Sequence, residues 1–282
     1  MIDLHSHVLP GIDDGPPDLA ESLRLVSTAE ASGTTVLAAT PHLRADHPSV
    51  EIATVAGRCA ALEEQLPDDC RVKLVPAGEL DLLWAQEASD EDLRLASFGG
   101  RGSDLLVETP YGPLPRGFEV LILRLAQRGF RLLLAHPERN PSFQREPSRI
   151  AELVKQGVLI QLTIPAVVRA DGRSRSRRLA LDLVSEGLAH NLASDAHSAG
   201  PRRSPDLGAG VRELAEVAPA RAEWMVTDAA AAILEGAPLP APPAERPARR
   251  RRRLTKLCVV SARSAFRRTR VSPACAAPAR RA

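Results

Sequence analysis

Histidine, aspartate and glutamate recur directly after short apolar segments of this chain. Six of seven predicted strands lead into such residues, and together these are His5, His7, His42, Glu79, Glu108, His136, Asp195 and His197. The carboxyl ends of parallel strands meet on one face of a barrel, so side chains far apart in sequence would come together there. Imidazoles and carboxylates are common ligands of divalent metal ions. The pattern therefore predicts a metal-dependent hydrolase with a multinuclear site.

Helical and apolar segments alternate along most of the chain. The predicted strands are residues 2–4, 36–39, 73–75, 104–107, 132–135, 158–162 and 192–193, and only 158–162 leads to nothing ionisable. Segments 19–31, 118–128, 150–156 and 179–186 have helical apolar spacing before a glycine, and 224–234 is predicted as one closing helix. This alternation favours an α/β fold with a parallel sheet wound by helices. Seven strands indicate a barrel one strand short of eight.

Charge divides the chain near Gly236. Residues 237–282 hold 13 Lys and Arg against the single acid Glu245, whereas the whole chain has a net charge of +2, so residues 1–236 carry −10. The first segment is long enough for one barrel domain with a substantial core. The second is rich in Pro, Ala and Arg, with an arginine run at 249–253, and is predicted to be disordered. We therefore expect a catalytic domain at 1–236 and a basic tail at 237–282.

The cysteine pattern and the N-terminal residues predict the cellular location of the protein. Cys59, Cys70, Cys258 and Cys275 have no paired spacing, and Met1 leads almost directly into the first predicted strand. We find no signal peptide and no apolar run of the roughly 20 residues that cross a bilayer. These features predict a cytoplasmic protein in a reducing setting.

Taken singly, each polar motif has an ordinary structural explanation. A lone HxH pair, a glutamate after a strand or an Asp and His near a turn is more often a surface, core or capping feature than a metal site. The distribution of the seven histidines changes this balance, because five of them lie at predicted strand exits. His47 and His190 have no such placement and are given no role.

Longer segments carry a resemblance to a known family. DLHSHVLPGIDDG, ATPH, GEL, LLVETP, LLLAHPERN and NLASDAH occur in this order within residues 1–235. They resemble the PHP (polymerase and histidinol phosphatase) domain, and most of all its CpsB/CapC-like branch of bacterial tyrosine-protein phosphatases. This resemblance implies a distorted seven-stranded (β/α)7 barrel of PHP type. It also implies about two to three divalent ions, usually Mn²⁺, that activate water to hydrolyse phosphotyrosine. The substrate would be a tyrosine autokinase that regulates capsular or exopolysaccharide synthesis.

The resemblance also implies roles for particular residues. One ion would be held by His5, His7, Glu108 and Asp195. The other ions would be held by His42, Glu79, Glu108, His136 and His197, with Glu108 bridging. Asp14 is favoured over Asp13 as the remaining carboxylate ligand. Arg139 matches a phosphate-binding arginine, and Arg202 or its neighbour Arg203 matches a second, with Arg202 taken as the candidate. A surface salt bridge is the alternative for either arginine.

These residues suit phosphate monoester chemistry. A phosphate dianion repels an attacking hydroxide, so clustered cations and bidentate guanidinium groups lower the barrier. A tyrosine leaving group has a pKa of about 10 and needs little protonation. A metal-bound water, Asp14 or His42 could supply that proton, which completes a catalytic set of Arg139, Arg202, Asp14 and His42.

Two other hydrolase mechanisms do not fit the sequence. A cysteine-dependent phosphatase needs an arginine six positions after its cysteine, and only Cys275 with Arg281 has this spacing, within the predicted tail. The G-x-S-x-G motif of serine hydrolases is absent. The sequence therefore predicts metal-dependent rather than thiol-dependent catalysis.

Several alternatives stay open at this stage. The site could hydrolyse a small phosphomonoester such as histidinol phosphate or a nucleotide, or belong to a regulatory protein that has lost catalysis. Its ligand types accept Mn, Fe, Zn or Co. The segment QLTIPAVVRADGRSR departs from the family pattern beside the predicted site, which leaves substrate preference open. The tail arginines have three interpretations: contact with an anionic membrane face, nonspecific nucleic-acid binding, or no role.

Overall fold

A computed structural model of the chain describes residues 1–168 and 174–244, and nine strand segments within them form two parallel sheets. The strands are β1 (Ile2–Ser6), β2 (Val36–Ala39), β3 (His42–Leu43), β4 (Lys73–Pro76), β5 (Glu79–Leu80), β6 (Asp104–Glu108), β7 (Arg131–Ala135), β8 (Leu159–Thr163) and β9 (Asn191–Ala193). The first sheet has the order β1-β2-β4, and the second has the order β3-β5-β6-β7-β8-β9. Every pairing is parallel, so the strands of each sheet end at one edge.

Helices connect these strands. They are α1 (Leu19–Ala31), α2 (Ile52–Glu63), α3 (Leu82–Glu87), α4 (Asp90–Ala96), α5 (Phe118–Ala126), α6 (Pro141–Arg145), α7 (Ser148–Lys155), α8 (Ile164–Val167), α9 (Arg175–Ser185), α10 (Leu207–Ala215), α11 (Pro219–Val226) and α12 (Asp228–Glu235). Two short 3₁₀ helices cover Phe98–Gly100 and Pro137–Arg139. The α/β class with parallel sheets, predicted from the alternation, is confirmed.

Short interruptions separate strand segments that follow one another. Thr40 and Pro41 lie between β2 and β3, and Ala77 and Gly78 lie between β4 and β5. Proline has no backbone N–H to give to a sheet. At Gly78 a Cβ atom would come within 2.4 Å of the Leu43 side chain, so any other residue would force the buried Leu43 to move. The sequence did not reveal β3 or β5 as strands, although both carry predicted site residues.

The predicted closing helix 224–234 is wrong in one respect. The structure has two helices there, α11 and α12, which are separated at Thr227 by a backbone with φ −124° and ψ −93°. The break changes the chain direction, and α12 then buries Ala230 and Ile233 against the ends of the strands. Helix α12 ends at Glu235, and Gly236 has a left-handed φ of +69°, as is common after a helix C-terminus.

Alternate strand residues feed two separate apolar clusters. One cluster gathers small and medium side chains from the strands with Phe98, Ala230 and Ile233; its strand members include Leu4, Ala38, Leu106 and Leu133. The other faces of the strands pack under the helices in a larger cluster, with members such as Leu37, Leu105, Leu134 and Ile160. Strands buried on both faces explain why they read as continuous apolar runs in the sequence.

Two expectations fall partly outside the described residues. Residues 169–173 of the segment after β8 and residues 245–282 of the predicted basic tail lie there, including Cys258 and Cys275. Within residues 1–168 and 174–244, no helix has the length and apolar character needed to pass through a bilayer.

Candidate metal centre and active site

All nine residues expected to bind metal converge at the carboxyl ends of the strands. The eight that follow strands are buried, each with at most 5% of its surface exposed: His5, His7, His42, Glu79, Glu108, His136, Asp195 and His197. Asp14 joins them from the loop after β1, and its side chain is 45% exposed. The structure thus brings together residues up to 192 positions apart.

Potential ligand atoms form three overlapping groups, each with its atoms within 4.8 Å of one another. The groups are His7, Asp14, His42 and His197; His5, His7 and Asp195; and His42, Glu79 and Glu108. His7 and His42 each belong to two groups, so the three positions share ligands. His136 lies beside them, with its Nε2 atom 2.9 Å from Glu79 Oε1. Shared ligands are the arrangement that a polynuclear centre requires.

Several buried atoms of this cluster have no hydrogen-bond partner among the described residues. They are Nε2 of His5, His7 and His197, Nδ1 of His42, and Oε2 of Glu79. The Glu79 oxygen is the meeting point, because it lies 3.4 Å from His5 Nε2, 3.5 Å from His7 Nε2 and 3.0 Å from His42 Nδ1. A buried polar atom without a partner costs free energy. Bound divalent ions would satisfy these atoms, so the residues fit a metal centre.

The opposite ring nitrogens of these histidines are held in place. His5 Nδ1 lies 2.7 Å from Gln161 Oε1, and His7 Nδ1 lies 2.7 Å from Asp13 Oδ2. Gln161 is fixed in turn by Asn191, which accepts its amide hydrogen at 2.9 Å. Such outer contacts set the tautomer and direction of a metal-binding imidazole. Asp13, the less favoured ligand in the sequence, therefore serves to orient His7.

The Asp13–Asp14 loop approaches β1 because of one glycine. At Gly15 a Cβ atom would lie 2.2 Å from the carbonyl oxygen of His7, too close for any other residue. The Gly15 N–H donates to Asp13 Oδ1 at 3.0 Å, which closes the turn. This close approach carries Asp14 over the buried histidines, where its Oδ1 lies 3.0 Å from His197 Nε2.

Two site residues have unusual backbone conformations. His136 and Asp195 are the non-glycine residues with positive φ in the described part of the chain, at +40° and +53°. His136 directly follows β7, and Asp195 lies two residues after the end of β9. Left-handed backbone is unfavourable for residues with a Cβ atom and tends to occur at functional sites. Here it turns both side chains into the cluster.

Burial and mutual charge shift the pKa values within the cluster. Burial, assisted by the Glu79 carboxylate, raises the pKa of Glu108 to about 7. Burial, assisted by the charge of His7, lowers the pKa of His197 to about 4. Burial opposes ionisation of Asp195, but Arg139, His5, His7 and Arg203 together outweigh it and hold the pKa of that carboxyl well below its usual value. A bound cation would favour carboxylates and neutral imidazoles throughout the site.

Arginines flank the cluster on its Asp195 side. Arg139 donates to Asp195 Oδ2 at 2.7 Å and to Thr163 Oγ1 at 2.6 Å. Thr163 in turn donates to the buried Glu138 carboxylate at 2.9 Å, so the Arg139 guanidinium is held from behind. Arg203 donates to Asp14 Oδ2 and to Asp195 Oδ1, both at 3.2 Å.

Of the two neighbouring arginines, the structure places Arg203 beside the cluster and Arg202 away from it. Arg202 is exposed and lines a separate cavity of about 490 Å³ with Ile164, Pro165 and Pro201. Neighbouring residues of an irregular loop point in different directions, and the sequence motif does not distinguish them.

Four further residues at the site escaped the sequence analysis. Arg44 donates to both oxygens of Glu108, at 3.1 and 3.2 Å. Its signal was available, because Arg44 lies two positions after His42 and such residues share one side of an extended chain. Gln161 was the one polar residue inside its apolar strand. Tyr111 and Glu138 had no clear signal.

The two histidines without a predicted role differ in position. The His47 ring stacks on His42, with centroids 5.1 Å apart and an interplanar angle of 15°. His190 lies before β9, where its Nδ1 accepts the Ile160 N–H at 3.1 Å. Neither belongs to the three ligand groups.

Comparison with known proteins identifies the family. The family model described as "Capsular polysaccharide synthesis, CpsB/CapC" matches residues 1–235. The chain belongs to the CpsB/CapC family. The resemblance predicted from the sequence motifs is thereby confirmed.

Individual CpsB/CapC proteins are similar over most of their length. Tyrosine-protein phosphatase YwqE of Bacillus subtilis (strain 168) is 32% identical over 199 residues, which cover 70% of this chain and 78% of that protein. Putative tyrosine-protein phosphatase CapC of Staphylococcus aureus is 29% identical over 205 residues, with 70% and 77% coverage.

A solved structure of this family has the same fold. It is described as one of YwqE from Bacillus subtilis and CpsB from Streptococcus pneumoniae, "unique metal-dependent tyrosine phosphatases". It superposes with a TM-score of 0.74 at 28% identity, covering 87% of this chain and 100% of that one. A beta-aspartyl dipeptidase from Fervidobacterium islandicum, at 12% identity and a TM-score of 0.53, shares the fold alone.

Proposed function

We propose that this chain is a metal-dependent protein-tyrosine phosphatase, a phosphoric monoester hydrolase that uses no cysteine nucleophile. The observation that carries the proposal is the convergence of nine histidine and carboxylate residues beside Arg139 and Arg203. Relatives named as tyrosine phosphatases, including one structure described as metal-dependent, support the same activity.

The proposed metal ligands are the nine residues of the cluster: His5, His7, Asp14, His42, Glu79, Glu108, His136, Asp195 and His197. Their shared groups suit about two to three divalent ions, with Mn²⁺ favoured and Fe, Zn or Co as alternatives. When bound, such ions supply positive charge for the phosphoryl oxygens and lower the pKa of a water molecule toward about 7.

Arg139 and Arg203 would bind the phosphoryl oxygens. Both guanidinium groups now bond to Asp195, and Arg139 is only 19% exposed. Planar guanidinium forks match two phosphoryl oxygens at once and are strong when little water reaches them. Thr163 and Glu138 keep Arg139 directed toward the cluster. These contacts would bring the phosphoryl group next to the proposed metal ligands.

The tyrosine leaving group needs little help from a general acid. Tyrosine has a pKa of about 10, well below that of an alkyl alcohol. Asp14 lies at the accessible side of the cluster, and its Oδ1 is 3.5 Å from His42 Nε2. Burial opposes ionisation of Asp14, but His197, His7 and His42 together lower its pKa. A metal-bound water would therefore supply the proton, with Asp14 and His42 placed to orient it.

The described cysteines support a route without a thiol. Burial, with the nearby Glu63 carboxylate, raises the pKa of the Cys59 thiol to about 12. A thiol with so high a pKa is almost entirely protonated and weakly nucleophilic near neutral pH. Cys70 has no arginine six positions later, because residue 76 is proline.

We infer that the two sheets form one distorted seven-stranded barrel. In this interpretation β2 continues into β3 and β4 into β5, which reduces nine segments to seven strands. Support comes from the parallel bridge between Ser6 and Ala196 and from the Asp195 N–H, which donates to His5 O at 2.9 Å. These contacts join β1 to the segment after β9. We also retain 1–236 as the catalytic domain and 237–282 as an appended basic tail.

The proposed substrate is the tyrosine-phosphorylated tail of an autokinase in capsular or exopolysaccharide synthesis. The family description and the names of the relatives support this assignment. Such a kinase would present its tail in the cytoplasm, where the basic segment could also contact the anionic membrane face.

Phosphatase assays with and without added Mn²⁺ test the proposal. Substrates should include a phosphotyrosyl peptide, a phosphoseryl peptide, histidinol phosphate and a nucleotide. We expect Mn²⁺-dependent activity that is highest on the phosphotyrosyl peptide, together with about two to three ions per chain by elemental analysis. Higher kcat/KM on histidinol phosphate would favour the small-molecule alternative. Bound metal without hydrolysis of any substrate would favour a regulatory protein.

Variants of Arg139 test its phosphate-binding role. Arg139→Ala should reduce kcat/KM while metal content stays near that of the wild type. Arg139→Lys keeps the charge but loses the fork, so its activity should fall between the two. Loss of metal in either variant would instead mean that Arg139 serves mainly to hold Asp195.

A further inference from the structure

Tyr111 stands at the edge of the metal centre and has no role in the site described above. It lies three residues after Glu108 in the loop between β6 and α5, and it is the only tyrosine of the whole chain. Its side chain is 57% exposed. In the described part of the chain, no other Phe, Tyr or Trp side chain is as exposed.

The Tyr111 ring covers one side of the cluster. It lies nearly parallel to the His136 ring, with an interplanar angle of 20° and centroids 6.0 Å apart. His136 is 2% exposed and reaches Glu79 on its other side. One face of the tyrosine is therefore directed toward the cluster edge, while much of the ring stays open to an incoming group.

The loop that carries Tyr111 is fixed by a buried side chain. Asn140 donates to the carbonyl oxygens on both sides of the tyrosine, Pro110 O at 2.6 Å and Gly112 O at 2.9 Å. Further along, the Leu114 N–H donates to Ser142 Oγ at 3.2 Å. Asn140 is 1% exposed and directly follows Arg139. The aromatic ring and the phosphate-binding arginine are thus held in one rigid unit.

We propose that Tyr111 is a specificity-determining residue whose ring packs against the phenyl ring of phosphotyrosine. This inference rests on the proposed phosphatase function. Aromatic pairs at centroid distances of roughly 4.5–7 Å gain energy beyond that of area burial alone. A phosphate held by Arg139 and Arg203 would leave its phenyl ring at the rim, which is where Tyr111 stands. An aliphatic phosphomonoester has no ring to make this contact.

The test uses the full-length chain loaded with Mn²⁺ and the variants Tyr111→Ala and Tyr111→Phe. Tyr111→Ala should lower kcat/KM on a phosphotyrosyl peptide by about tenfold, because stacking and buried apolar area are lost. Its kcat/KM on a phosphoseryl peptide, whose phosphate is carried by an aliphatic side chain, should change by less than about twofold. Tyr111→Phe retains the ring and should stay within about twofold of the wild type on both.

Binding gives a readout that does not depend on turnover. Calorimetry with a peptide containing phosphonomethyl-phenylalanine, which cannot be hydrolysed, should show a Kd about tenfold higher for Tyr111→Ala than for Tyr111→Phe. Val120→Ala is a matched control, because Val120 is an apolar residue of the following helix α5 with 53% exposure. That control should leave both Kd and kcat/KM unchanged.

The outcomes separate this inference from the proposed function. An equal loss on phosphotyrosine and phosphoserine, no loss on either, or a loss in Tyr111→Phe as large as in Tyr111→Ala would overturn the role of Tyr111 alone. Absence of Mn²⁺-dependent phosphotyrosine hydrolysis in the wild type would overturn the proposed function and this inference with it.

Discussion

The two ends of strand β6 each carry a buried carboxylate that accepts from an arginine, and the two differ in what else surrounds that pair. At the amino end, Asp104 accepts a hydrogen bond from Arg131, which also donates to the carbonyl oxygens of Ala232 and Ala237. At the carboxyl end, Glu108 faces a second buried carboxylate, Glu79, and its pKa is raised to about 7 by burial and that charge.

This contrast separates stability from function within a single strand. Around Asp104, opposite charges meet and fasten the C-terminal helix to the sheet. Around Glu108, imidazoles and a second carboxylate crowd the pair with Arg44. Five of their buried atoms have no partner among the described residues, whereas at the other end only Asp104 Oδ2 and Ser103 Oγ have none. Breaking the first arrangement should destabilise the fold, whereas the second should lower stability until cations occupy it. Substitutions at the two ends should therefore produce different kinds of change.

The largest expected effect is the loss of activity in His136→Ala. Removal of this imidazole should lower kcat/KM by about a thousandfold, or about 4 kcal/mol, because a metal position is disrupted. Stability of the metal-free chain should change little or increase, since an imidazole is removed from a crowded buried cluster. Steady-state kinetics, metal analysis and urea unfolding without metal measure these three quantities. A large loss of metal-free stability would place His136 with the structural residues instead.

The arginine pair should show the next largest effect. Arg203→Ala should lower kcat/KM on a phosphotyrosyl peptide by about thirtyfold, or about 2 kcal/mol, in line with a lost charge-assisted hydrogen bond. Arg202→Ala is the neighbouring control and should stay within about twofold. The reverse ranking of these two variants would favour Arg202 as the phosphate-binding residue.

At the opposite end of β6, stability should change and activity should not. Asp104→Asn keeps the shape of the side chain but leaves Arg131 without its counter-charge. We expect a loss of about 2 kcal/mol in the free energy of unfolding, because breaking a buried pair costs several kcal/mol and Arg131 is partly exposed. Urea unfolding measures this loss. A fall in kcat/KM per folded, metal-loaded molecule would contradict the division between the two ends.

The smallest effect concerns His190, which precedes β9 at the same end as Asp104. Burial, assisted by the Arg221 charge, lowers the pKa of His190 to about 4, against about 6.5 in an unfolded chain. Between these values only the unfolded chain binds the proton, so stability is full above pH of about 6.5 and falls as the pH drops toward 4.

His190→Asn can still accept the Ile160 N–H but does not titrate. Its loss of stability between about pH 6.5 and 4 should be smaller than that of the wild type by at least about 1 kcal/mol, a fraction of what full separation of the two pKa values would give. Urea unfolding of both proteins across this range gives the comparison. Parallel curves would show that His190 makes no contribution.

Residues at strand ends were the most predictable part of this molecule. His5, Glu108 and His136 follow apolar runs, and parallel topology is enough to bring such positions together. Gln161 was missed because an uncharged amide inside a strand resembles an ordinary core residue until its partner His5 is known. The choice between Arg202 and Arg203 depends on the path of an irregular loop, which residue types alone do not determine.

Secondary structure was predictable where a regular pattern was long enough. Helix α1 matches its predicted range of 19–31, whereas α5 ends two residues before the predicted end at 128. Strands β3 and β5 have two residues each, too few to show alternation. The break at Thr227 arises from packing of α12 against the strand ends, a tertiary cause that local propensity does not contain.

The left-handed backbone at His136 and Asp195 sets stability against activity at two defined positions. The left-handed conformation at each position lowers the free energy of unfolding by about 1 kcal/mol relative to a glycine there, because glycine adopts this conformation freely. A duplicated copy of the protein, released from catalysis and selected for persistence alone, would be expected to drift toward glycine at positions 136 and 195. Glycine at both positions would therefore indicate a family member that has lost catalysis.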